Sequence, residues 1–259
     1  MNNLNCIAII PARLGSSRFP GKPLVKIHGI PMIGHCYYRT RMCNDLSETY
    51  VATCDEEIYD YILSIGGKCI MTSSDHERAT DRTAEAMINI ENKTGIKTDV
   101  VVMVQGDEPM TTPQMISQSL EPLLSDKSVN VVNLMSPINN ISEFEDPNEV
   151  KVVVDAEKNA LYFSREPIPS RKKGSETVPM LKQVCIIPFR RDYLLKFNNL
   201  EETPLEIIES VDMMRIIEHG EKVKMVMTDA ISFSVDTEDD RVKTEEAMKD
   251  DVLIAEYNN

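Results

Sequence analysis

Residues 6–24 read Cys6-Ile7-Ala8-Ile9-Ile10-Pro11-Ala12-Arg13-Leu14-Gly15-Ser16-Ser17-Arg18-Phe19-Pro20-Gly21-Lys22-Pro23-Leu24. Residues 6–12 form a continuous apolar run, the pattern of a strand covered on both faces in a parallel sheet. The run ends in a loop that packs three cations, two hydroxyls and two glycines into residues 13–22. Working outward, strand patterns recur at 49–53, 68–71, 100–105 and 129–135, and helical patterns at 31–42, 56–65, 81–92 and 113–124. Strands that alternate with helices predict an α/β fold with a doubly wound, mostly parallel sheet. After residue 135 the rhythm changes. Residues 151–155 and 160–164 flank a polar turn and read as a hairpin, and 182–188 is strand-like, so a small antiparallel sheet is expected as an insertion. Helical patterns follow at 192–198 and 204–219, a strand at 223–227, an apolar stretch at 231–235, and a last helix at 237–249 with Asp236 or Thr237 as its N-cap. The 259 residues are expected to form a single domain, with one part at about 1–135 rejoined at about 221–259 and a subregion at about 136–220.

Composition narrows the function. Hydrophobic residues make up 42% and charged residues 27%, which is globular, and 28 basic residues against 42 acidic leave a net charge of −14. Such a chain lacks the basic footprint of a nucleic-acid binder. Trp is absent and aromatics are 5%, which argues against a base-stacking platform. No apolar run approaches the roughly 20 residues that span a bilayer, so no membrane association is expected. Met1-Asn2-Asn3-Leu4-Asn5 has no basic n-region, which predicts no signal peptide and a cytoplasmic protein. The six cysteines form no CxxC pair and read as reduced, buried thiols.

In an open α/β sheet, ligands bind beyond the carboxyl ends of the strands. The loop after residue 12 suits a phosphate there: glycines let backbone N–H groups approach, and Arg13, Arg18 and Lys22 neutralise charge. It follows neither the Walker A nor the GxGxxG spacing. Gln105-Gly106-Asp107-Glu108-Pro109 follows the apolar run 100–104 and places carboxylates at the same edge. Hard carboxylate oxygens suit Mg²⁺, although this string alone is also a plain turn. Asp236 opens an acidic stretch that reads equally as a helix cap or as a metal ligand, and spacing cannot show that Asp107 and Asp236 meet.

The string Ile9-Ile10-Pro11-Ala12-Arg13, continued by Ser17-Arg18-Phe19-Pro20-Gly21-Lys22-Pro23-Leu24, resembles the signature of sugar-acid cytidylyltransferases. More narrowly it is similar to the 3-deoxy-manno-octulosonate (Kdo) cytidylyltransferase, or CMP-Kdo synthetase, family. That resemblance is carried by Pro31-Met32-Ile33, Val51-Ala52-Thr53, Asp75-His76 with Thr80-Asp81-Arg82, Val104-Gln105-Gly106-Asp107-Glu108-Pro109-Met110, Asp146-Pro147-Asn148 leading to Val150-Lys151-Val152-Val153, and Ala160-Leu161-Tyr162-Phe163-Ser164-Arg165. Val235-Asp236-Thr237 matches the family's ending.

The resemblance implies a nucleotide-diphospho-sugar transferase-like fold and transfer of CMP from CTP to the anomeric hydroxyl of a sugar acid, releasing pyrophosphate. It implies that Arg13, Arg18, Lys22 and Asp107 are catalytic, and that Asp107 and Asp236 hold Mg²⁺. Ala12, Arg13, Ser17, Lys22, Asp75, Arg82 and Gln105 would hold the nucleotide. Arg165, Gln183, Glu206, Glu209 and Asp212 would line the sugar-acid side. The family's inserted sheet carries a dimer contact, which implies a homodimer, and a Kdo product would feed lipopolysaccharide or capsule assembly.

The sequence departs from the family in four places. Arg78-Ala79 stands where Ser-Gly is usual, Gln183 where His is, Ile187 where Tyr is, and Asp212-Met213 where Glu-Gln is. Lost hydrogen-bonding groups can shift selectivity strongly, so an acceptor other than Kdo is expected as an alternative. Competing readings are a nucleotidyltransferase for a neutral sugar phosphate, a non-catalytic nucleotide binder, and an acid–base hydrolase using Asp107 and Glu108. Adjacent residues on extended backbone face opposite sides, which disfavours the last. His28, His35, His76 and His219 sit in no catalytic spacing.

Overall fold

The computed structural model describes residues 4–15, 19–171, 178–231 and 233–258. The chain divides into two compact units, Met1–Ser117 with Ile231–Asn259, and Gln118–Ala230.

The first unit contains β1 (Cys6–Pro11), β2 (Lys26–Ile27), β3 (Ile30–Pro31), α1 (Met32–Arg41), β4 (Glu48–Thr53), α2 (Glu56–Ser64), β5 (Cys69–Met71), α3 (Ala79–Thr94) and β6 (Val100–Val104), with α4 (Pro113–Ser125) beginning at its end. Strands β6-β1-β4-β5 lie side by side and all pair in parallel. Every residue of β1 and β6 is buried, as their unbroken apolar sequences require. The chain steps from β1 through α1 to β4 and through α2 to β5, then returns through α3 to β6 on the other side of β1. The right-handed crossover rule places helices made in opposite directions on opposite faces, so the sheet is doubly wound with its switch point between β1 and β6.

The second unit holds β7 (Val132–Pro137), α5 (Ile141–Glu145), β8 (Lys151–Val154), β9 (Ala160–Ser164), β10 (Leu181–Val184), β11 (Ile186–Arg190), α6 (Arg191–Asn198), α7 (Pro204–Glu209), α8 (Met213–Glu218) and β12 (Lys224–Met227). Its sheet runs β12-β7-β10-β8-β9, antiparallel except for the β12–β7 pair. The predicted 151–155/160–164 hairpin is present as β8–β9. Two sequence readings need correction. The single helix expected at 204–219 is two, because Ser210 adopts a left-handed conformation (φ 52°) that ends α7. The strand-like run 182–188 is two strands interrupted at Cys185, since an apolar run carries no mark of where pairing is broken.

The chain then returns to the first unit as α9 (Glu238–Ala247) and a tail that clamps onto α1. Buried Arg39 donates to Asp251 (2.6 Å) and to the Tyr257 hydroxyl (3.0 Å). His35 Nε2 lies 2.8 Å from the Ile27 carbonyl and Nδ1 lies 2.8 Å from the Tyr257 hydroxyl. A carbonyl only accepts, so Nε2 carries the proton and Nδ1 accepts from Tyr257.

Burial pushes the His35 pKa down to about 4. Arg39 and His28 push the same way, and the Ile27 carbonyl and Asp251 oppose. Unfolded histidine titrates near about 6.5, so between these values the unfolded chain takes a proton that the folded one refuses. Stability therefore falls as pH drops. From pH 7 to pH 5 the loss from His35 should be about 2 kcal/mol, read as a lower urea midpoint, and His35→Gln should remove that share of the pH dependence.

Candidate active site

The loops after β1 and β6 flank the switch point. The β1 loop turns at Gly21, whose φ of 73° favours glycine, and then enters a short 3-10 turn, Lys22–Leu24. After β6, Gly106 lies so close to β1 that a Cβ there would come within 3.0 Å of the Pro11 carbonyl oxygen. Lys22 Nζ donates to Asp107 Oδ2 at 2.7 Å, to Asp236 Oδ1 at 3.0 Å and to the Val235 carbonyl at 3.3 Å. Burial by itself would lower the Lys22 pKa, but the two carboxylates outweigh it and the value is raised. Val235 N donates to the Asp107 carbonyl at 3.0 Å, which ties the two acidic segments together through backbone. An apolar cluster of Ile27, Met32, Met110, Val235 and Met248, with Phe19, Phe233 and Ile254 against it, underlies these loops.

The helix cap at Asp236 is thereby decided. Thr237 forms the capping box of α9 with Asp240, which leaves the Asp236 side chain to reach Lys22. Asp107 Oδ1 is buried and takes no hydrogen bond among the described residues. Two converging carboxylates, one with an unused buried oxygen, are a donor set that fits Mg²⁺, an ion commonly held by one or two carboxylates and substrate phosphates. Glu108 is buried while Asp107 faces Lys22, so the two adjacent acids are not presented as a pair.

The other residues expected to hold the nucleotide are spread around this centre. Ala12 is buried and Gln105 half-buried at the ends of their strands, and Arg13 is exposed. Ser17 and Arg18 lie outside the described residues. Asp75 is exposed in the loop before α3. Arg82 is buried, and its guanidinium donates to Thr72 Oγ1 (2.5 Å), the Ser73 carbonyl (3.2 Å) and the His76 carbonyl (3.3 Å), so it holds that loop in place. His76, on the same loop, pairs with Glu85 of α3. Arg78 sits half-buried at the N-cap position of α3.

One contributor was not singled out from sequence. Asp55 occupies the N-cap position of α2, yet its side chain makes no cap bond and instead accepts from Leu14 N at 2.8 Å. It ties down the backbone at Leu14, next to Arg13. Its position before a helix reads as a cap, and nothing local reveals the diversion.

The residues expected on the sugar-acid side lie in the second unit. Glu209 accepts from Tyr162 (3.1 Å), Ser164 (3.0 Å) and Arg165 N (2.8 Å). The Arg165 guanidinium donates to the carbonyls of Glu209 (2.7 Å), Pro147 (2.9 Å) and Ser210 (3.4 Å). Lys151 is fully buried, and its ammonium donates to the carbonyls of Asp146 (2.8 Å), Glu149 (2.7 Å) and Arg165. That explains why Asp146-Pro147-Asn148 and Lys151 occur together: the lysine is the pin for the loop. Gln183 donates to Asn133 Oδ1 at 2.5 Å, and Asp212 is half-buried at the start of α8. Glu206 is fully buried with both carboxylate oxygens on Arg215 at 2.7 Å, so here it joins α7 to α8.

Residues 7–223 match the family described as cytidylyltransferase. The chain belongs to that family. A 3-deoxy-manno-octulosonate cytidylyltransferase of Geobacter metallireducens is 42% identical over 251 residues, covering 93% of this chain and 96% of that protein. Its counterpart from Acaryochloris marina is 37% identical over 243 residues, with 93% and 96% covered. The solved structure of a CMP:2-keto-3-deoxy-manno-octonic acid synthetase complexed with CTP matches with a TM-score of 0.86 at 36% identity, over 96% of this chain and 100% of that one. The 4-diphosphocytidyl-2C-methyl-D-erythritol synthase of Anaerococcus prevotii shares the fold alone, with a TM-score of 0.62 at 13% identity. The resemblance and the α/β fold read from residues 6–24 and their surroundings are borne out.

Proposed function

We propose that this cytidylyltransferase moves CMP from CTP to the anomeric hydroxyl of a 2-keto-3-deoxy sugar acid, Kdo in the first instance, and releases pyrophosphate. The convergence of Lys22, Asp107 and Asp236 at the switch point of a chain 42% identical to a Kdo cytidylyltransferase carries this reading. Phosphoryl-type transfer needs positioning and charge neutralisation more than covalent help from the protein. Arg13, Arg18 and Lys22 neutralise the triphosphate and steady the departing pyrophosphate. The backbone around Ala12 and Ser17, with Gln105, Asp75 and the loop held by Arg82, positions the nucleotide. Asp107 and Asp236 would hold Mg²⁺, which when bound would supply charge neutralisation to the phosphate oxygens.

On the acceptor side, Glu209 and Gln183 keep polar groups for sugar hydroxyls, and Arg165 and Asp212 border them. Ile187 and Met213 are buried apolar residues where the family usually places polar ones, which supports a second acceptor as the alternative. Pyrophosphate release with CTP and Mg²⁺ tests this. Kdo is expected to turn over at least about tenfold faster, by kcat/KM, than other 2-keto sugar acids in a panel. A faster rate with another acid would re-specify the pocket and leave the nucleotide chemistry standing, and UTP or ATP should not replace CTP.

The protein works in the cytoplasm, where CTP is available, and its product supplies assembly of a Kdo-bearing surface glycan. It acts as a homodimer. Support comes from the family resemblance and from the neighbouring exposed residues Ile207 (59%) and Ile208 (71%) on α7, an apolar surface that a second chain would cover. Sedimentation equilibrium at micromolar concentration should return the mass of two chains.

A further inference from the structure

The Lys22 ammonium lies between the same two carboxylates that the proposed function assigns to the metal, 2.7 Å from Asp107 and 3.0 Å from Asp236. A divalent cation cannot bind that pair while the ammonium stays, because two cations at contact distance repel strongly in a partly dehydrated site. Nor can Lys22 leave cheaply. Its side chain is only 15% exposed, and withdrawing it from both carboxylates without a new partner would strand a charge that water reaches poorly. Its remaining acceptor is the Val235 carbonyl, a neutral group. A triphosphate changes that balance, since phosphate oxygens form charge-assisted hydrogen bonds with a lysine ammonium.

We propose that Lys22 and the divalent cation exchange places on the Asp107–Asp236 pair, so that the metal is taken up together with CTP and not ahead of it. The proposal rests on the assignment of those two carboxylates to the metal. Lys22 acts as an internal counter-cation that keeps the acidic pair neutralised until nucleotide phosphate is present to receive it. The exchange makes metal and nucleotide binding cooperative, and by linkage each tightens the other equally.

Mn²⁺ is the probe, with water-proton relaxation to separate protein-bound Mn²⁺ from Mn²⁺ on free nucleotide. In the wild type, Mn²⁺ alone should bind weakly and CTP should tighten it by about 100-fold. In Lys22→Met, Mn²⁺ alone should bind at least about tenfold tighter than in the wild type, and most of the CTP-induced gain should vanish. Mn²⁺ alone should also raise the melting temperature of Lys22→Met more than that of the wild type, because it supplies the positive charge that the variant no longer places between Asp107 and Asp236. Lys22→Arg, which keeps a cation, should bind Mn²⁺ alone as weakly as the wild type.

The exchange is overturned if Lys22→Met binds Mn²⁺ alone no more tightly than the wild type while Asp107→Asn still abolishes binding in the presence of CTP. If Asp107→Asn leaves Mn²⁺ binding with CTP intact, the metal assignment fails and takes the exchange with it. Lys22→Gln serves as the neutral variant if Lys22→Met does not fold.

Discussion

Asp107→Asn should lower kcat/KM for CMP transfer by on the order of 10³-fold, about 4 kcal/mol of transition-state stabilisation. The substitution keeps the shape of the side chain and its reach to Lys22. It removes one of the two negative charges that converge on the site, and with it the hard anionic oxygen that suits a divalent ion. The loss should appear with either substrate saturating and should be only partly relieved by high Mg²⁺. The fold should be little affected, because the amide oxygen of the substituted side chain can still accept from Lys22 and Asp236 keeps the ammonium paired. A variant with activity within tenfold of the wild type and an unchanged Mg²⁺ dependence would remove Asp107 from the metal site. Asp236→Asn should show the same pattern, since both carboxylates bind one ammonium.

Arg215→Met is expected to have the largest effect on stability. Arg215 and Glu206 form a two-pronged pair with side chains 5% and 0% exposed, and the guanidinium stacks 4.7 Å from the Phe197 ring centre. Removing only the arginine leaves the Glu206 carboxylate buried, with the Thr203 amide as a weak partner at 3.4 Å. Breaking such a pair from one side costs about 3–5 kcal/mol. The double variant Arg215→Met, Glu206→Leu should recover most of it, because two apolar side chains need no counter-charge. Urea unfolding of the two single variants and the double variant measures the coupling directly. A double variant no better than Arg215→Met would mean that the arginine acts through its stacking on Phe197 and not through its charge.

The polarity of Glu206 and its place near the family's sugar-binding helix made it an acceptor candidate, yet its carboxylate is engaged by an arginine nine residues on. Sequence spacing within one assumed helix would not bring them together this way. The left-handed Ser210 turns one helix into two, and the pair spans the break. Arg82 is a similar case: a cation in the first turn of α3 that organises the loop before it, through the Thr72 hydroxyl and the Ser73 and His76 carbonyls. In both, charge was legible in the sequence and its partner was not.

The order of residues by itself determined the strand and helix alternation, the parallel character of β1 and β6, the basic glycine loop, and membership in the cytidylyltransferase family. These rest on short-range regularities: apolar runs, helical periods, turn residues and motif strings that span a few positions each. The meeting of Lys22, Asp107 and Asp236 was decided only by tertiary structure. Lys22 and Asp236 are 214 positions apart, and their contact depends on a return of the chain that no local pattern encodes. The same holds for Asp55, a helix-cap residue diverted to Leu14, and for the tail that binds Arg39 and His35 through Tyr257. Local propensities act over a turn or two of chain, whereas a site is built by burial and charge pairing between segments that meet only once the sheet has closed.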